Sequence, residues 1–185
     1  MSSNTAVNVF WFRRDLRLDD NAGLYYALKS GRTVLPVFIF DSNILDELKN
    51  KKDKRVHFIH DALTGMQQKL VKAGSSLTVL YTTPLQAFTK LVQHYNIKAV
   101  YTNHDYEPYA QQRDEEIKTL LSQHGITFQS YKDQVIFEKN EVTKDNGEPY
   151  TIYTPYSRKW KERLGNTVTL YDTNKLSGNF FKCSP

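Results

Sequence analysis

The sequence predicts an α/β fold built on a parallel sheet, and three features of its 185 residues carry that prediction. Val7 to Phe12 is a near-continuous apolar run, as in a strand that is covered on both faces. Three helical stretches end at Gly31, Gly74 and Gly125, where glycine can adopt the left-handed conformation of a helix cap. An apolar, β-rich stretch follows each glycine, and strands that alternate with helices in this way form βαβ units.

Five strands are predicted in chain order. They cover residues 7–12, 33–40, 77–81, 98–103 and 126–131. Because crossover connections between parallel strands are right-handed, the order of these strands in the sheet should be 3-2-1-4-5. The predicted architecture is therefore a Rossmann-like, doubly wound, five-stranded parallel sheet with flanking helices.

The first two helices are predicted from a cap and from apolar periodicity. Asp20 or Asn21 can cap the first helix, which should run to about Ser30. The second covers residues 55–72 and places apolar side chains three and four residues apart, which is typical of an amphipathic helix. Its apolar stripe consists of Val56, Ile59, Leu63, Met66 and Leu70.

Three further helices are predicted from proline at their first position. The pairs Thr83-Pro84, Glu107-Pro108 and Thr154-Pro155 each place a proline where its missing N–H costs nothing. The last of these helices should end at Gly165, and little periodicity follows it. The dipeptide Asn146-Gly147 lies between the last strand and the last helix and indicates a turn.

Length and composition indicate one domain, which we place at residues 1–164, followed by a connector at residues 165–185. The net charge of +5 is compatible with a nucleic-acid partner, but the only dense basic run, residues 49–55, is more typical of a solvated loop. Cys183 is the single cysteine, which excludes an internal disulfide and predicts a reducing, cytoplasmic setting. No apolar run is long enough to span a membrane, and we expect a monomer.

Charged residues gather directly after the first strand. Residues 13–20 contain six charged side chains in eight positions. In open α/β sheets, ligands bind at the carboxyl ends of the strands, so this loop is a candidate site. The alternative is an ion-pair network that fastens the loop, and spacing alone favours that alternative. The loop contains no glycine and no phosphate-binding motif, so a backbone phosphate cradle is not predicted here.

Two carboxylates follow the fourth strand, which should lie beside the first. Asp105 and Glu107 could hydrogen-bond the polar edge of a flat heterocycle, whose faces aromatic rings could cover. The arginines and aromatic residues near this edge are Arg13, Arg17, Arg55, Phe12, Phe40 and Tyr106. Alternatively, Glu107 caps the following helix and Asp105 pairs with an arginine. From the residues alone, the second interpretation is favoured.

Metal and nucleophile patterns are weak. His57 and His60 lie three residues apart on a predicted helix, but no further ligand accompanies them, so we expect no metal site. No pattern of a nucleophile activated by an adjacent base is visible, and Ser157 and Ser177 lack any arrangement that would make them catalytic, so no catalytic residue is predicted.

Five stretches of the chain together resemble the photolyase/cryptochrome family, in the order found there. They are WFRRDLRLDDN at 11–21, PVFIFD at 36–41, RVHFIHDAL at 55–63, NHDYEPYAQQRD at 103–114 and EPYTIYTPYSRKW at 148–160. The resemblance covers nearly the whole chain, and it is strongest to bacterial photolyases of the cyclobutane pyrimidine dimer kind.

The resemblance implies an N-terminal α/β antenna domain that holds an auxiliary light-harvesting chromophore. In the family, an all-helical C-terminal domain holds FAD and binds damaged DNA. Nothing in this sequence resembles that helical domain, so residues 165–185 would begin the interdomain linker. The parent enzyme would pass excitation to reduced FAD, which donates an electron to a pyrimidine dimer. The chain alone should be inactive in repair and bind DNA weakly at most.

The resemblance also suggests the chromophore. Members that bind a deazaflavin or FMN use an arginine and two carboxylates that correspond to Arg55, Asp105 and Glu107. Folate-binding members of another branch use an Asn-Glu pair whose positions are Tyr109 and Ala110 here, which disfavours folate. We expect the rest of the site to come from neighbouring stretches of the motifs: Phe12, Arg13, Phe40 and Asp41.

Two other functions stay open at this point. One is a cryptochrome-type blue-light photoreceptor, which differs from a photolyase in residues of the helical domain. The other is a generic nucleotide-binding α/β module, which shares the sheet order but lacks the first and last of the five stretches.

Overall fold

A computed structural model describes residues 5–48, 53–165 and 168–183. It confirms the predicted α/β fold, because its five strands form one parallel sheet in the order β3-β2-β1-β4-β5. The strands are Ala6–Phe12 (β1), Thr33–Asp41 (β2), Thr78–Thr82 (β3), Asn96–Asn103 (β4) and Thr127–Tyr131 (β5). The basic run at 49–55 lies mostly outside the described residues.

Helices flank the sheet. They are Ala22–Lys29 (α1), Ser42–Leu45 (α2), Lys54–Lys72 (α3), Pro84–His94 (α4), Pro108–Gln123 (α5) and Tyr153–Leu164 (α6), with 3-10 turns at Lys139–Glu141 and Asn174–Asn179. Asn21, and not Asp20, caps α1 by accepting a bond from the Leu24 amide. Thr83 caps α4 as predicted. The prediction for α6 was wrong by two residues, because the helix begins at Tyr153 and not at Pro155, with no side-chain cap.

Both faces of the sheet are buried, which explains the near-continuous apolar run of β1. Phe10 and Phe12 point to the face that α1 and α3 cover. Val9 and Trp11 point to the opposite face, which α4 and α5 cover. The apolar stripe of α3 is confirmed, with Leu63, Met66 and Leu70 buried and its first two members half-buried.

The loops after β1 and β4 meet at the carboxyl edge of the sheet, as the strand order predicts. Asn103, the last residue of β4, fixes the loop after β1 through side-chain hydrogen bonds. Its amide donates to Asp15 at 2.5 Å and to Asn21 at 2.9 Å, and its oxygen accepts from the Gly23 amide at 2.8 Å. This buried network sets the direction in which the charged side chains of the loop leave the backbone.

Among the described residues, the segment after β5 adds no further strand to the sheet. The Asn146-Gly147 turn forms, with the Gly147 amide donating to the Lys144 carbonyl at 2.9 Å, but neither flank is a strand. Trp160 of α6 packs edge to face on Phe137, with ring centroids 5.7 Å apart. Within the predicted connector, the Phe181 amide donates to Val34 of β2 at 2.8 Å, so residues 168–183 pack back onto the domain.

Across the part of the chain that the structure describes, no helix is both long enough and apolar enough to cross a membrane. The same residues contain no group of three or more His, Cys, Asp or Glu side chains that could hold a metal ion.

Candidate functional site

Several clefts open at the carboxyl edge of the sheet, and two of them adjoin each other. The first, which we call the polar cleft, has a volume of about 390 Å³. Its lining includes Arg13, Arg14, Asp15, Arg17, Asn103, His104, Asp105 and Asp133. The second, the apolar cleft, has a volume of about 160 Å³. It is walled by Phe38, Phe40, Ile44, Leu45, Ile59 and Pro84 and edged by Asp41, Asp105, Glu107 and Tyr109.

A buried ion-pair cluster forms the floor of the apolar cleft. Arg13 and Arg113 both bond Asp114, at 2.6 Å and 3.0 Å, and both side chains are at most 10% exposed. Their guanidinium carbons lie 5.2 Å and 4.9 Å from the ring centroid of Trp11. Burial lowers the pKa of Arg13, and Asp114 partly offsets that effect. The ion-pair interpretation of the first loop is therefore correct for Arg13, whose charge is already compensated.

The two predicted carboxylates share one edge of the apolar cleft and meet the same arginine. Arg14 contacts Glu107 at 2.5 Å and approaches Asp105 at 3.9 Å. The Asp105 side chain is 8% exposed, and the Glu107 side chain is 61% exposed. Glu107 precedes α5 but makes no side-chain cap bond, so its carboxylate is not used in capping the helix. Both carboxylates are thus placed to accept hydrogen bonds from a ligand in the cleft.

Phe40 and Asp41, at the end of β2, also line the apolar cleft. Phe40 is half-buried and packs edge to face on Phe38, with centroids 4.9 Å apart. Asp41 is buried, accepts a bond from the Tyr109 hydroxyl at 2.6 Å, and caps α2 through the Asn43 amide. The structure therefore brings Phe40 and Asp41 to the cleft edge formed by Asp105 and Glu107.

Phe12 and Arg55 lie elsewhere. Phe12 is fully buried on the α1 face of the sheet, edge to face with Phe10 at 4.6 Å, and lines neither cleft. The Arg55 side chain is 75% exposed and pairs with Asp53 at 2.7 Å. That pairing holds the pKa of Asp53 at about 2. The family motif would place Arg55 next to Asp105 and Glu107. In this structure, Arg14 lies there instead.

Tyr106 also turns away from these two clefts. Its hydroxyl donates to Glu138 at 2.5 Å, and the same carboxylate lies 2.8 Å from Nδ1 of His104. Burial and the Glu138 carboxylate raise the pKa of Tyr106 well above its ordinary value. The three side chains join the end of β4 to the segment after β5.

Sequence reasoning missed Trp11, Arg14, Tyr109 and Arg113 as parts of the site. Tyr109 and Arg113 lie four residues apart on α5, a spacing that places them on one face of the helix. The Arg113 guanidinium lies 5.9 Å from the Tyr109 ring, and burial raises the pKa of the Tyr109 hydroxyl. For Tyr109 and Arg113, this i, i+4 spacing is the sequence feature that could have identified them.

The chain resembles known proteins over most of its length. The family model described as DNA photolyase matches residues 8–172. A deoxyribodipyrimidine photo-lyase from Synechococcus sp. (strain ATCC 27144 / PCC 6301 / SAUG 1402/1) is 33% identical over 83% of this chain and 31% of its own length.

Two solved structures share the fold. A bacterial class III photolyase from Agrobacterium tumefaciens has a TM-score of 0.80 and 26% identity, covering 100% of this chain and 37% of that chain. An archaeal photolyase from Sulfolobus tokodaii, solved with two FAD molecules and discussed in terms of a novel light-harvesting cofactor, has a TM-score of 0.68 and 31% identity. That match covers 88% of this chain and 35% of the archaeal chain. This chain thus spans about a third of the length of each relative.

Proposed function

This chain belongs to the DNA photolyase family, and from that premise we propose that it is the light-harvesting, chromophore-binding domain of a light-dependent DNA repair enzyme. The whole enzyme would reverse pyrimidine dimers in damaged DNA by electron transfer from reduced FAD. That reaction needs the helical FAD domain, which these 185 residues do not resemble. The 185 residues alone would therefore bind a chromophore and repair nothing.

The proposed ligand is a planar tricyclic chromophore, a deazaflavin or FMN, in the apolar cleft. The observation that carries this proposal is the pair Asp105 and Glu107 at the edge of a cleft walled by Phe40 and aliphatic side chains. Carboxylates accept bonds from ring N–H groups, and an aromatic wall covers a flat ring face. Folate is disfavoured, because the Tyr109 hydroxyl already bonds Asp41 and Ala110 is 2% exposed.

A fluorescence titration tests this site. An Asp105→Asn, Glu107→Gln double variant removes both acceptor charges and should weaken FMN or deazaflavin binding at least about tenfold, since charged hydrogen bonds are the strong ones. The matched control is Glu115→Gln, which removes a carboxylate from the exposed side of α5, where Glu115 pairs with Lys118. Equal affinity of the double variant and the control would contradict the proposed site.

The pKa of Asp53 reports whether Arg55 joins the ligand. Without ligand, Arg55 holds the pKa of Asp53 at about 2, below its ordinary value of 3.8. If Arg55 turns to a bound chromophore, Asp53 loses that partner and its pKa should rise toward the ordinary value. An NMR titration of the Asp53 carboxyl, with and without saturating FMN, measures this shift. An unchanged pKa would mean that Arg55 stays on Asp53 and that Arg14 alone faces the carboxylates.

A cryptochrome-type photoreceptor is the alternative function for the whole protein. The two functions would use this domain in the same way, so the chromophore titration does not separate them. A light-dependent repair assay on a protein that joins this domain to the helical FAD domain does separate them.

A further inference from the structure

The polar and apolar clefts adjoin each other. Arg13, Arg14 and Asp105 line both of them. A ligand whose flat ring lies in the apolar cleft can therefore extend a tail past Arg14 into the polar cleft. The polar cleft is the larger of the two, about 390 Å³ against about 160 Å³ for the apolar cleft.

The charges that face solvent in the polar cleft are positive. The side chains of Arg14 and Arg17 are 55% and 43% exposed, whereas those of Asp105 and Asp133 are 8% and 4% exposed. The Asp133 carboxylate is held by the Ala22 amide at 2.9 Å and by Arg17 at 2.7 Å. The third carboxylate of the lining, Asp15, is half-buried and accepts bonds from the side-chain amides of Asn21 and Asn103. Arg14 and Arg17 are therefore the most exposed charges of this cleft.

Both arginines retain donors for a further partner. A guanidinium carries five N–H groups, and the contacts of Arg17 to the Asp20 carbonyl and Asp133 use only Nε and Nη2. Arg14 contacts Glu107 on the exposed rim, and ion pairs this exposed contribute little stability. The planar fork of arginine matches phosphate oxygens in a bidentate geometry.

We propose that the polar cleft is a phosphate subsite, in which Arg14 and Arg17 bind the phosphate of a flavin whose ring lies in the apolar cleft. This inference rests on the proposed function and narrows its ligand to a phosphorylated flavin, FMN or FAD, over a deazaflavin that carries no phosphate. When Arg14 turns to the phosphate, Glu107 loses its partner and becomes free to accept a hydrogen bond from the ring.

The test compares FMN with riboflavin, which has the same ring and no phosphate. Both are titrated into the 185-residue chain, into Arg17→Gln and into Arg158→Gln, a control that removes the same charge from α6, outside both clefts. The wild type should bind FMN about tenfold more tightly than riboflavin. Arg17→Gln should lose that preference, with riboflavin affinity unchanged, and the control should keep it. Added salt should weaken FMN binding more than riboflavin binding.

Riboflavin binding by Arg17→Gln shows that the variant is folded, so a loss confined to FMN supports the subsite. Equal affinity of the wild type for both flavins overturns the phosphate subsite and leaves the ring site standing. A preference for FMN that survives in Arg17→Gln overturns the assignment of Arg17. Failure of the wild type to bind either flavin or a deazaflavin overturns the proposed function, and the subsite with it.

Discussion

Replacing Asp114 with asparagine is expected to lower the free energy of unfolding by about 3–5 kcal/mol, the usual cost of removing one partner from a buried ion pair. Asp114 is the shared partner of Arg13 and Arg113, whose side chains are 7% and 10% exposed. Without that carboxylate, two guanidinium groups would both lie near the Trp11 ring with no anion between them. Burial and the charge of Arg113 already lower the pKa of Arg13, so the cost of keeping its charge would rise. Asparagine can accept a hydrogen bond but supplies no charge to offset theirs.

Urea denaturation of the wild type and the variant measures this loss. Glu115→Gln is the matched control, because it neutralises the next residue of α5, whose side chain is 71% exposed and pairs only at the surface with Lys118. Its effect should stay below about 0.5 kcal/mol. A loss below about 1 kcal/mol in Asp114→Asn would show that the cluster does not depend on this carboxylate.

Replacing Gly23 with alanine is expected to destabilise the domain by about 3 kcal/mol, since overpacking and a lost buried hydrogen bond add. A Cβ atom at this position would lie 2.6 Å from Asn103 Oδ1, 2.9 Å from the Thr102 carbonyl oxygen and 3.0 Å from the Phe10 ring. The carbonyl belongs to β4 and cannot move without shifting the sheet. Asn103 Oδ1 also accepts the Gly23 amide at 2.8 Å, so the clash acts on the network that fastens the first loop.

The melting temperature should fall by about 6–12 °C, given about 2–4 °C per kcal/mol for a chain of this size. Gly65→Ala, in the middle of α3, provides a control of opposite sign. A Cβ atom at Gly65 meets nothing within 4 Å, so alanine should stabilise the helix by about 1 kcal/mol. If the two variants shifted the melting temperature in the same direction, the close approach of α1 to β4 would not explain the effect of Gly23→Ala.

Much of the fold was predictable because it depends on local chemistry that the residues carry with them. The apolar run of β1, the cap at Asn21 and the stripe of α3 each act over one strand or a few helical turns. Right-handed crossovers then leave few ways to order five parallel strands, and the order 3-2-1-4-5 followed. The start of α6 was missed, because Thr154-Pro155 resembles a cap pair, whereas the helix begins at Tyr153 with no side-chain cap.

The location of the candidate site at the edge of the sheet was predictable, and the side chains that line it were less so. Strand order alone brings the loops after β1 and β4 together, so Asp105 and Glu107 had to lie near the charged first loop. Side-chain alternation along β1 places Phe12 with Phe10, in the core and away from the clefts. The resemblance to the family predicted Arg55 as a site residue, whereas in the structure Arg55 pairs with Asp53.

Sequence by itself determined the sheet, its order and the edge at which the loops after β1 and β4 meet, since periodicity, caps and handedness are local. Only the tertiary structure decided which arginine is buried in an ion pair and which one faces solvent. Arg13 and Arg14 are adjacent and chemically identical, yet one is buried on Asp114 and the other is exposed at Glu107. The physical reason is that long side chains in an irregular loop have no periodicity, and their direction follows from partners about a hundred residues away, such as Asn103 and Asp114.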